Sequence, residues 1–123
     1  GRKQGASDDA MRPQLDLEKM QKENPHPELT AHIAALGKMR KENPVLADGK
    51  YRELVLTNRQ CIFARETESE RVFVAINADE NSYTAHFDAG CGQAVDLITG
   101  DIHDFGGGSE LAPYSAAFWK MER

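Results

Sequence analysis

The side chains of this 123-residue chain best suited to chemistry are four histidines, two cysteines and some grouped carboxylates. Asp8-Asp9 is a paired carboxylate, the raw material of acid–base hydrolysis or of metal binding. Adjacent side chains in a loop diverge, so helix-end charge or solvated surface is the preferred reading. His103 stands in Asp101-Ile102-His103-Asp104, with His86 in reach across strands, and imidazole with carboxylate suits a metal. Yet Asp101 and His103 project to one side of a short strand, where polar residues simply face water, and their spacing fits no zinc motif. His26, in a turn, and His32, near a helix stripe, read as surface or boundary residues. Gly106-Gly107-Gly108-Ser109 lacks the following helix and the Lys of a phosphate loop, and reads as a slack connection. No serine lies in a Gly-x-Ser-x-Gly elbow. Cys61 reads as a small core residue beside Phe63. Cys91, in a Gly90-Cys91-Gly92 turn, reads as an exposed thiol, and nothing indicates a bridge between the two. Tyr51, Tyr83, Tyr114 and Trp119 are the residues from which a sugar-stacking platform would be built. Their scattered spacing favours core or rim packing. The residues assign no catalytic, cofactor-binding or metal-ligating group, and no cofactor.

Composition narrows the class. Fifteen basic against 20 acidic residues leave a net charge of -5 at neutral pH, with no basic face for nucleic acid. No apolar run approaches the ~20 residues of a membrane span. Apolar residues make up 40% and recur in short patterned runs, which excludes disorder. Two cysteines do not make a disulfide scaffold. The length suits one domain. The polar start Gly1-Arg2-Lys3-Gln4-Gly5 has neither Met nor an apolar segment, so it reads as part of a longer protein and not as a signal peptide.

Three zones position these residues: a loop over 1–12, helices over 13–46 and short strands over 47–123. Pro13 suits a first helical turn, and Leu15, Leu17 and Met20 follow with a short apolar pattern. Asn24-Pro25-His26-Pro27 breaks it. Leu29, Ile33, Leu36 and Arg40 then share one stripe of an amphipathic helix of about four turns, flanked by His32, Ala35 and Met39. Asn43-Pro44 ends that helix. After Asp48-Gly49 the apolar period changes to two. Strands are expected at 51–56, 60–65, 71–77, 82–87, 93–97, 101–105, 110–112 and 116–121. The third is apolar on both faces and should be central. The expected core is Leu54, Leu56, Ile62, Val72, Val74, Ile76, Leu97 and Trp119. Ala117, Trp119 and Met121 should face one side and Phe118 with Lys120 the other. The pattern predicts an antiparallel sandwich or barrel. The helix stripe at Leu29, Ile33 and Leu36 needs a partner of its own.

The order of segments resembles a known family. Ser7-Asp8-Asp9-Ala10-Met11-Arg12-Pro13 precedes Asn24-Pro25-His26-Pro27-Glu28-Leu29, and then Leu36–Leu46 with Gly49-Lys50-Tyr51. Phe63-Ala64-Arg65, Val72–Asn77 and Asp96-Leu97-Ile98-Thr99-Gly100 follow. This is similar to the C-terminal end of alpha-amylase-family glycoside hydrolases (family 13), of the alpha-glucosidase, neopullulanase and cyclomaltodextrinase kind. There a stretch ending in Arg-Pro follows the eighth barrel strand, a helix with Leu-x-x-x-Arg closes the barrel, and a sandwich called domain C opens with Gly-x-Tyr.

The resemblance implies a mainly β fold: an antiparallel Greek-key β-sandwich of domain C type, preceded by one or two α-helices. It also implies what is absent. The (β/α)8 barrel needs about 250 residues. Its retaining chemistry uses a carboxylate nucleophile and an acid/base roughly 5 Å apart. By resemblance these lie upstream of residue 1, so the fragment should be inactive. Asp8 and Arg12 fall near the mouth of the family's active site, where a salt bridge or helix cap is preferred over a sugar subsite. The implied parent is a bacterial hydrolase of alpha-1,4 glucosidic bonds, with alpha-1,6 as a further linkage. The implied partners are its catalytic barrel and its alpha-glucan substrate, with neither nucleic acid nor membrane. The chain alone should tend to form a homodimer through the helix at 28–43. The expected location is cytoplasmic. Two alternatives stand beside this reading: a carbohydrate-binding module for malto-oligosaccharides, and an unrelated protein-interaction domain.

Overall fold

A computed structural model describes residues 17–122. Asp8, Asp9, Arg12 and the first-turn Pro13 lie outside the described residues, as does the loop expected over 1–12. Residues 17–23 are helical and are called α1. They are followed by α2, Pro27–Glu42, and by a single turn α3, Val45–Asp48. Eight strands complete the described chain: β1 Lys50–Leu56, β2 Gln60–Glu66, β3 Glu70–Asn77, β4 Tyr83–Ala85, β5 Gln93–Asp96, β6 Ile102–Asp104, β7 Ser109–Leu111 and β8 Ser115–Glu122.

Helix α2 begins where local chemistry allows. Pro27 fills the first turn, where its missing N–H has no partner to lose, and His26 Nδ1 accepts from the Glu28 N–H at 3.2 Å. The helix stops at Asn43, whose N–H and Nδ2 both donate to the Met39 carbonyl, at 2.8 and 3.1 Å. The turn α3, which the periodicity did not anticipate, buries Val45 and Leu46. Gly49 then lets the chain enter β1 in close quarters. A Cβ there would sit 2.6 Å from the Val45 carbonyl oxygen and 2.9 Å from the Glu66 nitrogen. Two residues on, the Tyr51 ring packs on Phe63 at 5.6 Å, with the buried Arg65 guanidinium 5.5 Å from its centroid. Arg65 also donates to the Gly49 carbonyl at 3.0 Å. The Gly-x-Tyr and Phe-Ala-Arg segments are thus one packed corner.

The strands form an antiparallel six-stranded sheet in the order β1-β2-β3-β8-β5-β6, and β4 pairs with β7 in a second, two-stranded sheet. From β3 the chain crosses to β4, returns to β5 and β6 at the far edge, crosses again to β7, and inserts β8 beside β3. That is a sandwich crossing of Greek-key type. β3 is central and buried along nearly its whole length. Its two faces serve two cores. Val72, Val74 and Ile76 join Cys61, Phe63 and Phe118 under Leu29, Met39 and Leu46 of the helices. Phe73 and Ala75 join Ile62, Ala64 and Trp119 under Ala85 and Leu111 of the small sheet and the loop at Ala89. Ala117 and Met121 fall on the Trp119 side as expected.

Of the expected core, Ile62, Val72, Val74, Ile76 and Trp119 are buried, and Leu54 and Leu97 are half-buried. Leu56 is not in the core, being 39% exposed. The register slips between Glu53 and Val55, so strict alternation fails along this edge strand.

Asn77, fully buried at the end of β3, ties the two sheets together. Its Oδ1 accepts from Gln60 Nε2 at 3.0 Å and from the Asp79 N–H at 3.1 Å. Its Nδ2 donates to the carbonyls of Asn81 at 2.9 Å and Ala112 at 3.2 Å. Beyond it, the Asn81 N–H donates to the Asp79 carboxylate and holds that group's pKa below its usual value. Asn77→Ala leaves several buried groups unpaired. It should lower unfolding stability in urea by about 3 kcal/mol, and a loss below about 1 kcal/mol would contradict the role given to Asn77.

Candidate functional site: the helix-side face of the sheet

Among the described residues the helix stripe finds only part of its cover. Leu29 and Met39 are buried against the sheet, whereas Ile33 and Leu36 are half-buried. These two, with Leu17, Leu46 and Phe63, line a groove of about 360 Å³ between the helices and β2, which also receives Arg40 and Arg65. His32 is exposed, and His26 sits at the boundary with its ring stacked 3.8 Å from Tyr114. Tyr114 adopts φ +50, the left-handed region that few side chains enter, and its stacking on the α2 cap accompanies that conformation.

A second apolar stretch lies on the same face. Val95 of β5 stands opposite Lys120 on β8 and Ile102 on β6. Directly paired residues share a face, so Val95 and Ile102 point to the Phe118 side, where α2 packs on β8. Val95 is 41% exposed and Ile102 61%, with Ile98 of the adjoining turn at 54%. The sequence pattern did not single these residues out. Alternation alone does not tell a covered edge from a bare one.

On the opposite face two expectations are corrected. His103 is half-buried and points inward, not simply out to water. Its ring lies parallel to Trp119 at 3.9 Å, Phe105 meets it edge-on at 4.9 Å, and its Nε2 is 2.9 Å from Ser109 Oγ. Asp101 is exposed, so the two do not act together. The end of the run Gly106-Gly107-Gly108-Ser109 is not slack. Gly108 has φ +100, and a Cβ on it would stand 2.7 Å from the His86 ring and 2.8 Å from Thr84. Ser109 is 1% exposed. Among the described residues no group of three or more His, Cys, Asp and Glu is placed to hold a metal ion. Cys61 is buried in the core as expected. Cys91 is half-buried, not fully exposed, and burial raises its thiol pKa against the opposing pull of Arg71.

The four aromatics do not make a platform. Trp119 is 2% exposed. Tyr51 and Tyr114 pack into the helix-side core, and Tyr83 packs into the other. What the geometry offers is an apolar, partly open face with charged groups at its margins, suited to packing against protein.

Two packed sheets preceded by helices make this a β-sandwich of the kind that forms the C domain of alpha-amylases. The structure of an Anoxybacillus alpha-amylase superposes with a TM-score of 0.62 at 21% identity, over 75% of this chain and 22% of that one. AmyP in complex with maltose gives 0.60 at 24% identity, over 72% of this chain and 19% of that one. No family model matches. In sequence, the oligo-1,6-glucosidase of Heyndrickxia coagulans is 34% identical in an alignment of 97 residues that covers 75% of this chain and 16% of that enzyme. The chain is related to the glycoside hydrolases of the alpha-amylase family, and it spans about a fifth or less of the length of such enzymes.

With its aromatics divided between two cores, the chain should not bind malto-oligosaccharide. Millimolar maltoheptaose should leave the amide NMR spectrum unchanged. Saturable shifts clustered at Tyr51, Tyr83 or Tyr114 would show a sugar site instead.

Proposed function

We propose that this chain is a non-catalytic C-terminal domain of an alpha-glucan or alpha-glucoside hydrolase, and that it stabilises the enzyme's catalytic barrel by packing against it. The observation that carries this reading is the half-covered stripe of Ile33 and Leu36 on the helix-side groove, in a chain that matches 16% of its glucosidase relative. An apolar groove with charged margins of this kind suits a contact surface for another protein body. In the parent, α1 and α2 are the last barrel helices and the barrel covers the groove. The parent cleaves alpha-1,4 glucosidic bonds, and alpha-1,6 bonds as well, by a retaining mechanism with two carboxylates that belong to the barrel. A cytoplasmic location fits the two free cysteines.

In the isolated chain the groove is open to a second copy, so self-association and barrel docking compete for one face. Sedimentation equilibrium should show weak dimerisation of the chain alone. Mixing with the oligo-1,6-glucosidase lacking its matched segment should convert dimers to a one-to-one complex and raise the temperature at which that enzyme loses activity. Ile33→Asp with Leu36→Asp should abolish both effects. A chain that stays monomeric and leaves the truncated enzyme unprotected would overturn the proposal.

A further inference from the structure

We infer that Gly37 is the seat for a helix of the parent enzyme's barrel wall, with Arg40 beside it to donate to a carboxylate on that helix. This occupant presupposes the docking on a barrel proposed above, and no other part of that reading.

Gly37 lies inside α2, well short of the cap at Asn43, so it ends no helix. In a helix interior, glycine lowers the folding constant about fivefold relative to alanine, through the extra freedom of the unfolded chain. Nothing described in the chain demands that loss. A Cβ at Gly37 would meet no described atom within 4 Å, and its backbone is ordinary helix. A Cβ at Gly49 or Gly108, by contrast, would meet an atom at 2.6 or 2.7 Å. Those two glycines answer to neighbours within the chain. Gly37 is open from within and suits a close approach from outside.

The surroundings point to what approaches. Ile33, Gly37 and Arg40 recur at helical spacing on one face of α2, and all three line the groove beside Leu36. A second helix packs into such a row, and a missing side chain at the crossing lets the two axes come nearer than the usual ~8–10 Å. The outer wall of a (β/α)8 barrel is made of helices. Charge adds the sign. In a chain of net charge -5, the groove gathers Arg40 and Arg65 against one lining carboxylate, Glu18. Arg65 is buried and donates to the Gly49 carbonyl. Arg40 is exposed and makes no ion pair with a described residue, whereas Lys38, on another side of the helix, pairs with Glu42 at 4.0 Å. A helix seated on Gly37 therefore places an acidic residue opposite Arg40.

The test compares folding and docking in the same variants. Gly37→Ala and Gly37→Leu should each melt a few degrees above the unmodified chain, because both side chains favour helix and meet open space. Binding is read by calorimetry against the oligo-1,6-glucosidase lacking its matched segment. Gly37→Ala should weaken it about tenfold and Gly37→Leu about a hundredfold, because the added atoms enter a packed contact. Arg40→Leu should weaken binding several-fold and flatten its dependence on salt. Lys38→Ala should bind as the unmodified chain does. Unmodified binding by both Gly37 variants would overturn the seat and leave the docking itself standing. Loss of self-association in Gly37→Leu, with enzyme binding intact, would give the seat to a second copy and overturn it too. If the unmodified chain does not bind the enzyme, the docking fails and the seat falls with it.

Discussion

The central strand β3 is apolar on both sides, and so is its neighbour β8. The pairs Phe73 with Trp119 and Val74 with Phe118 stand next to each other and point in opposite directions. A sheet built on them must be covered twice, because leaving either set in water costs roughly 1.5–3 kcal/mol per large side chain. The helices cover one face, and the β4–β7 pair with the loops around Ala89 and Phe105 covers the other. Most other features serve this double cover. Asn77 fastens the crossing between sheets, Gly49 brings α3 against β2, and the Arg71–Glu66 pair at 2.7 Å ties the ends of β2 and β3. Arg71 also donates to the Ala89 carbonyl at 2.7 Å, which draws the covering loop onto the sheet.

The two covers are unequal. On the small-sheet side, His103 stacks on the buried Trp119, Phe105 meets both rings edge-on, and Leu111 is buried. On the helix side, α2 crosses β8 and leaves open ground on either flank: the groove at Ile33 and Leu36, and the bare end at Val95 and Ile102. The open ground on the helix side, with its exposed Val95 and Ile102, offers a surface for contact with a further body. On the reading proposed above, that body is the catalytic barrel.

Much of this was legible in the sequence. The switch of apolar period at Asp48-Gly49, the turn residues and the doubly apolar run at 71–77 gave the strands within a residue or two, and the central position of β3 with them. The unsatisfied stripe at Leu29, Ile33 and Leu36 pointed to the candidate face before any coordinates. What was not legible depended on long-range placement. A three-residue strand such as β6 shows alternation but not which side a distant loop covers, so His103 read as solvated. The run at 106–109 read as slack because the close neighbours of Gly108, His86 and Thr84, are more than twenty residues away in sequence. Leu56 was misplaced by a bulge, which shifts register without a mark in the apolar pattern. The short turn α3 was too brief to show a period.

The unequal cover is tested most directly by methyl NMR with a soluble nitroxide, which broadens signals according to their exposure. Methyls of Leu36, Val95, Ile98 and Ile102 should broaden strongly, while those of Ile62, Ala75 and Leu111 should stay sharp. Equal protection of both sets would mean that the helix-side face is already closed, and the account of this chain as a domain seated on a larger enzyme would lose its physical basis.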